Sequence, residues 1–232
     1  MAVFVYSREN IIFMRFHVVT LFPNMFESYL SDSILKRAHE AKKVSWFFYN
    51  PREESEDKWK RVDDRPYGGG PGMVMTPDPV LRAVEKIHKK IARFKKTKVK
   101  TIIFSPGGTL FTNTIARELI TKKVTDMILI CGRYEGVDAR VKKILKAEEW
   151  SVGEYVLTGG ELPAMIVIDA VARHIDGVLG NTLSPEENRI SSHETYTRPE
   201  IFVWKKKKYK VPEVLLSGDH KKIDEWKSKI KK

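Results

Sequence analysis

Apolar positions follow two periods along the chain, and the switches between them predict alternating strands and helices. Phe16–Leu21 and Val44–Tyr49 read as short strands, with a helical stretch between them that opens at Asn24 and repeats Phe26, Tyr29, Leu30, Ile34 and Leu35. Thr76-Pro77 reads as an N-cap with proline at the first helical position. The helix that follows keeps Val80, Leu81, Val84, Ile87 and Ile91 on one face and basic residues on the other. Strands are then predicted at Thr101–Ser105, Asp126–Cys131 and Trp150–Leu157, and helices at Thr112–Ile120, Val137–Ala147 and Glu161–Ile175. Each of these three strands runs into glycine: Pro106-Gly107-Gly108, Gly132, and Thr158-Gly159-Gly160. Strand, glycine junction and helix in succession describe an α/β sheet of largely parallel strands. Ligands of such sheets bind at the carboxyl ends of the strands. Three junctions in a row favour one nucleotide-like ligand over three unrelated tight turns.

Two stretches break the alternation. Pro51–Pro66 is polar and leads into Tyr67-Gly-Gly-Gly-Pro-Gly72, a loop preceded by Asp63, Asp64 and Arg65. Carboxylates, a guanidinium and an aromatic ring beside a glycine hinge suit recognition of a base or ribose. Residues 176–195 read as a flexible linker. After them come a Lys-rich stretch and a closing helix from about Asp219, with Ile223, Trp226 and Ile230 on one stripe. That tail is too short to build a core alone, so it is expected to pack on the main body or on a second subunit.

Composition narrows the class. The chain has 232 residues, a formal charge of +12 and one cysteine, Cys131. A single cysteine excludes an internal disulfide framework and a cysteine-cluster zinc site. No apolar run approaches the ~18 residues of a membrane span. The first residues carry Arg8 and Glu9 and do not read as a secretory signal, so a cytoplasmic location is expected. The charge is concentrated: Lys86–Lys100 holds seven Lys, Arg93 and no acid, and Glu200–Lys232 holds eleven Lys against five acids. Clusters of this kind suit a polyanion partner, although solvated helix faces produce the same pattern. There is no P-loop, no G-x-G-x-x-G and no H-E-x-x-H, so nucleotide hydrolysis, a Rossmann site and a protein-built zinc site are unsupported.

Seven longer runs carry a resemblance. They are Arg15–Pro23, Asp63–Met73, Cys131–Asp138, Ser151–Pro163, Asp169–Arg173, Tyr196–Pro199 and Val211–Gly218. In this order they resemble the bacterial tRNA (guanine-N1)-methyltransferases of the TrmD type, over most of the chain from Met14. The resemblance implies a SPOUT α/β fold with a deep trefoil knot at residues 14–175. It also implies a short, mostly helical, tRNA-binding C-terminal domain at 196–232. Residues 1–13 precede the family's usual start and read as an extension or a mis-assigned start. The implied reaction is methyl transfer from S-adenosylmethionine to N1 of guanine 37, beside the anticodon, by a homodimer, with Mg²⁺ among the family's requirements. The cofactor pocket would be formed by Phe104, Ser105 and Pro106, by Gly132, Tyr134 and Glu135, and by Val152, Gly153, Glu154, Tyr155, Val156, Leu157, Gly159 and Gly160. Asp63, Asp64, Tyr67, Gly68, Gly69 and Arg198 would face the tRNA, and Arg173 would hold the guanine oxygen.

The chemistry requires N1 of guanine to lose its proton, because protonated N1 has no free lone pair. The family's base is an aspartate in the linker, and here Asn188 stands at that position. An amide cannot take the proton. Glu186 and Glu187 lie beside it, and Glu187 is the expected base, with His193 or Glu194 behind it. Gly107 and Glu154 replace the family's more usual Gln and Asp and leave the pocket plausible. The alternatives are an RNA-binding relative with altered or lost catalysis, favoured by Asn188 alone, and a methyltransferase acting on another RNA.

Overall fold

A computed structural model describes residues 13–179 and 194–229. The chain divides into two compact units, Met1–Leu179 and Gly180–Lys232. The first unit begins with β1 (Met14–Val19). A 3₁₀ turn (Pro23–Phe26) follows, then α1 (Glu27–Leu30) and α2 (Ser33–Glu40). The stretch predicted as one helix from Asn24 is therefore three short pieces. Next come β2 (Val44–Tyr49), α3 (Pro51–Glu54), a two-residue hairpin pair β3 (Asp63–Asp64) and β4 (Val74–Met75), and α4 (Pro77–Ile91). The unit closes with β5 (Val99–Leu110), α5 (Asn113–Thr121), β6 (Asp126–Ile130), α6 (Ala139–Leu145), β7 (Glu148–Ser151) and α7 (Glu161–Ala172).

The five long strands form one parallel sheet in the order β2-β1-β6-β5-β7. Alternation along the strands sorts side chains to two faces. Met14, Phe16, Val18, Ile102, Met127 and Leu129 pack with α1, α2, α5 and α7. Val19, Ile103, Ile128 and Ile130 pack with α4 and α6. The result is helices on both sides of a parallel sheet, the layering that βαβ alternation dictates.

Thr76 occupies the N-cap of α4, but its side chain makes no capping hydrogen bond; Pro77 opens the helix. The strand predicted over Trp150–Leu157 is much shorter. Ser151 Oγ accepts from the Gly153 amide at 3.2 Å and donates to the Gly153 carbonyl at 2.9 Å, a local turn that ends β7 and turns Val152–Leu157 into loop.

At the amino end of the sheet lies a buried polar cluster. Asp126 accepts two 2.6 Å bonds from Arg15, one from His17 at 3.0 Å, and one from Thr125 at 2.7 Å. His17 also reaches the Tyr49 hydroxyl at 3.3 Å and stacks on Phe47. Burial pushes the Asp126 carboxyl up, but the hydrogen bonds from His17, Arg15 and Thr125 outweigh it and hold its pKa at about 2.

Three of the helix ends at this edge share one device. After α2, the Lys43 amide bonds to Ala38 O and the Lys42 amide to His39 O, both at 2.9 Å. After α5, Val124 and Lys123 bond to Leu119 O and Ile120 O in the same way, and after α6, Ala147 and Lys146 bond to Lys142 O and Lys143 O. These are Schellman caps, whose left-handed residue is usually glycine. Here it is lysine each time: Lys42 (φ 55°), Lys123 (φ 54°) and Lys146 (φ 49°).

The second unit contains a hairpin, β8 (Ile201–Trp204) with β9 (Lys207–Lys210), followed by α8 (Glu213–Leu216) and α9 (His220–Lys229). The pattern does not predict the hairpin, because both its faces are exposed and no apolar alternation marks it. Among the described residues no helix is long and apolar enough to cross a membrane.

Candidate active site

The three glycine junctions converge on one cavity of about 190 Å³ at the carboxyl end of the sheet. Its first wall is a detour in β5. Trp150 of β7 pairs with both Phe104 and Thr109, so residues 105–108 loop out of the ladder between them. Glycine is required at the return: a Cβ on Gly108 would lie 2.6 Å from the Glu149 carbonyl carbon. The second wall follows β6 and the third is the loop after β7. The two are pinned by the Gly160 amide donating to Gly132 O at 2.9 Å. A Cβ on Gly160 would meet Cys131 Cα at 2.6 Å, so the loops close this tightly only with glycine there.

Of the residues expected to hold the cofactor, all but Glu154 line this cavity. Gly136, Trp150, Ser151, Thr158 and Pro163 line it as well, beyond the residues expected to hold the cofactor. The lining fits a flat heterocycle attached to a charged tail. Phe104, Pro106, Trp150, Val156 and Leu157 supply apolar surface, the glycines expose backbone, and Glu135 brings a carboxylate.

Beneath the cavity sits an ion pair that sequence reasoning missed. Arg133 Nε lies 2.9 Å from Glu161 Oε2, with both side chains largely buried. The Thr20 hydroxyl donates to the other oxygen of Glu161 at 2.8 Å, and Arg133 Nη1 donates to Thr158 O at 3.2 Å. The guanidinium also lies over the Phe22 ring at 4.5 Å. Glu161 is the first residue of α7, where the positive end of the helix dipole favours a carboxylate. Arg133 thus ties the loop after β6 to the start of α7. The signal available in the sequence was a charged residue directly after each of two glycine junctions. Cys131, next to this pair, is fully buried, and burial pushes its thiol pKa well up.

The glycine loop joins the cavity from the side. Asp63 and Asp64 sit in β3, paired with Met75 and Val74. Tyr67 is fully exposed, and Gly68, Gly69, Gly70 and Gly72 all have positive φ. The base of the loop is held to the cavity wall: the Glu135 amide donates to Met73 O and the Met75 amide to Gly136 O, each at 2.9 Å. A Cβ on Gly72 would collide with the Glu135 side chain at 2.5 Å, so this end of the loop lies directly on a cavity-lining carboxylate.

Arg173, at the C-cap of α7, lies on a separate groove of about 650 Å³ with Met25, Tyr29, Leu162, Met165, Ile166 and Asp169. Tyr29 donates to Asp169, and that bond is the main reason its pKa is pushed up to about 12. Helix α7 is apolar on nearly every side, so the sheet cannot cover all of it: Leu162 is 55% and Ile166 44% exposed. Glu186, Glu187, Asn188 and His193 lie outside the described residues. Arg198 is exposed in the second unit, and Glu194 there accepts a 2.7 Å bond from the Tyr196 hydroxyl. Among the described residues, no three His, Cys, Asp or Glu side chains come together to hold a metal ion.

Known proteins resemble this chain in sequence. A profile of the family described as tRNA (Guanine-1)-methyltransferase TrmD matches residues 14–232. The tRNA (guanine-N(1)-)-methyltransferase of Clostridioides difficile (strain 630) is 45% identical over 218 residues, which span 92% of this chain and 90% of that one. The protein of the same name from Thermomicrobium roseum is 48% identical over 217 residues, covering 92% and 77% of the two chains. That from Dehalococcoides mccartyi is 46% identical over 220 residues, covering 93% and 85%.

Proposed function

Because this chain belongs to the tRNA (guanine-1)-methyltransferase family, we propose how its residues carry out methyl transfer to N1 of a tRNA guanine. The methyl donor implied by the family is S-adenosylmethionine, whose sulfonium supplies an already electrophilic methyl group. The observation that carries the reading is the convergence of three glycine junctions on one cavity, with the Asp63–Met73 loop seated on Glu135 at its wall.

In this reading the carboxyl-end loops hold the donor, and Glu135 faces its positive charge. Asp63 and Asp64 accept from the amino and imino edge of the guanine, and the glycine loop lets Tyr67 close over the base. Alignment of N1 with the methyl is the main contribution of these contacts. As N1 gives up its proton, negative charge grows on the guanine oxygen, where Arg173 stabilises it. Glu187 takes the proton in place of Asn188, its longer side chain spanning the one-residue offset. Mg²⁺ is implied by the resemblance alone, and no step is assigned to it.

The target is guanine 37, beside the anticodon, where an unpaired loop presents the base without opening a duplex. The working form is a homodimer. The apolar groove on α7 is the surface a second copy covers, which brings Arg173 to the border between subunits. Transfer of labelled methyl to a tRNA transcript tests the whole reading, with guanine 37 replaced as the control. Incorporation that vanishes on replacement is expected. Incorporation that survives it points to another RNA target, and none at all favours an RNA-binding relative. Glu187→Gln is expected to cut the rate at least about a hundredfold; undiminished transfer removes that assignment. Ile166→Glu is expected to give a monomer by sedimentation and to lose activity with it.

A further inference from the structure

In a parallel sheet every helix ends where the next strand begins, so the turns after α2, α4, α5 and α6 all gather at the amino edge, opposite the cavity. In the spatial order of the strands, Lys42 precedes β2, Lys123 precedes β6, Lys95 and Lys96 precede β5, and Lys146 precedes β7. Four strand spacings make this row about 19 Å long. The turns touch one another: Lys98 Nζ donates to Lys122 O at 3.0 Å, and the Thr125 amide donates to Lys98 O at 2.9 Å.

Most acids near this edge are already matched. Glu118 pairs with Lys122, Glu148 with Lys100, Glu149 with Lys142, and Asp126 is enclosed by Arg15 and His17. Glu40 is an exposed carboxylate on the same rim. Among the described residues, Lys42, Arg93, Lys95, Lys96, Lys123 and Lys146 form no ion pair, and all six are exposed. Phe94, in the same turn, is 46% exposed with the Arg15 guanidinium 4.2 Å from its ring centre.

Four of these lysines hold left-handed backbone, Lys96 at φ 57° with the three capping lysines. Glycine or asparagine satisfies that conformation at lower cost. Lysine there adds nothing the turn needs, only an extended cation.

We propose that this rim is a docking surface for the sugar–phosphate backbone of RNA, separate from the methyl-transfer cleft. Strands of five or six residues separate the two ends by about 17–20 Å, so the rim grips nucleotides other than the target base or its immediate neighbours. A ladder of unpaired cations with one exposed aromatic ring suits a polyanion that also offers stacking surfaces. The choice of tRNA as the RNA rests on the function proposed above.

The full chain carrying Lys42→Gly, Lys96→Gly, Lys123→Gly and Lys146→Gly tests this, with the four Lys→Arg changes as the charge-preserving control. Binding of a tRNA transcript is followed by fluorescence anisotropy from 50 to 300 mM KCl. The glycine variant is expected to bind at least about tenfold more weakly at the low end. Its slope of log affinity against log salt should fall by about 3–4, near 0.9 for each phosphate no longer neutralised. The arginine control should retain both, and the melting temperature and S-adenosylmethionine affinity of the glycine variant should not drop. An unchanged affinity and slope overturns the proposal, as does weaker binding accompanied by a lower melting temperature. Phosphatidylglycerol vesicles serve as a second probe: binding by the parent that the glycine variant loses equally overturns the RNA assignment. If the parent fails to methylate tRNA while the glycine variant still loses RNA binding, the proposed function fails and the rim stands.

Discussion

At the carboxyl end of the sheet the chain turns on glycine, and at the amino end it turns on lysine. The positive-φ residues at the first end include Gly68, Gly69, Gly70, Gly72 and Gly136, with Tyr134 among them; at the second they include Lys42, Lys96, Lys123 and Lys146, with Gly177 beside Lys43. Both sets have positive φ, and at Gly68, Gly69, Gly70 and Gly136 an added Cβ would meet nothing within 4 Å. At Gly72, Gly108 and Gly160 another part of the chain stands within 2.5–2.6 Å of the missing Cβ. The lysine turns face solvent, so a side chain is sterically free there at about 1–2 kcal/mol of conformational cost. Glycine at positions 72, 108 and 160 therefore marks where two segments must nearly touch, whereas the lysine turns carry charge outward. The buried ion pairs follow the same division. Arg133–Glu161 ties loops together at one end, and Asp126 with Arg15 and His17 ties strand starts at the other.

Breaking one partner of a buried pair tests the division most severely. Arg133→Met is expected to cost about 3–5 kcal/mol in chemical denaturation, by leaving Glu161 buried without its counter-charge, and to abolish S-adenosylmethionine binding. Adding Glu161→Gln to it should recover part of the stability but not the binding. A double variant that binds as the parent does would show that the pair has no part in shaping the cleft. Gly160→Ala, which forces a Cβ against Cys131, is expected to cost about 2–3 kcal/mol and to weaken cofactor binding in calorimetry.

At the other end, Asp126→Asn should cost about 2 kcal/mol near neutral pH and leave cofactor affinity unchanged. The Asp126 pKa falls from 3.8 to about 2 on folding, so its contribution is complete above about pH 4 and disappears as pH drops through 2. Parent and variant stabilities should therefore converge over that window in acid denaturation; curves that stay parallel would contradict the assignment. The smallest effect has the opposite sign. Lys123→Gly should raise stability by about 0.5 kcal/mol, read as a small rise in melting temperature, where an added glycine would ordinarily lower it.

The strands can be read as short apolar runs and most helices from their 3.6 period, since a parallel sheet covered on both faces buries every residue of a strand such as Asp126–Ile130. The cavity can be located from the same source, because glycine junctions follow three successive strands. Its tightness cannot be read: the contact that forbids a side chain at Gly160 comes from Cys131, 29 residues away, and sequence order hides it. Arg133 and Glu161 escape notice for the same reason, each looking like an ordinary surface charge until the fold places them 2.9 Å apart. Trp150–Leu157 reads as strand along its whole length because its β-favouring residues outweigh the Ser151–Gly153 turn. The hairpin Ile201–Lys210 is hidden by exposure on both faces. The base position at Glu187 and Asn188 lies outside the described residues, so it rests on sequence reasoning.

The sole cysteine has a practical use. Cys131 is fully enclosed, lies against Gly160 where the cleft loops meet, and has its thiol pKa raised by burial. A thiol reagent can therefore reach it only when that junction parts, and its rate of alkylation becomes a clock for opening of the cleft. Saturating S-adenosylmethionine should slow the clock, and RNA seated on the lysine rim should leave it nearly untouched. The chain thus carries its own reporter, placed by the same close packing that the glycines permit.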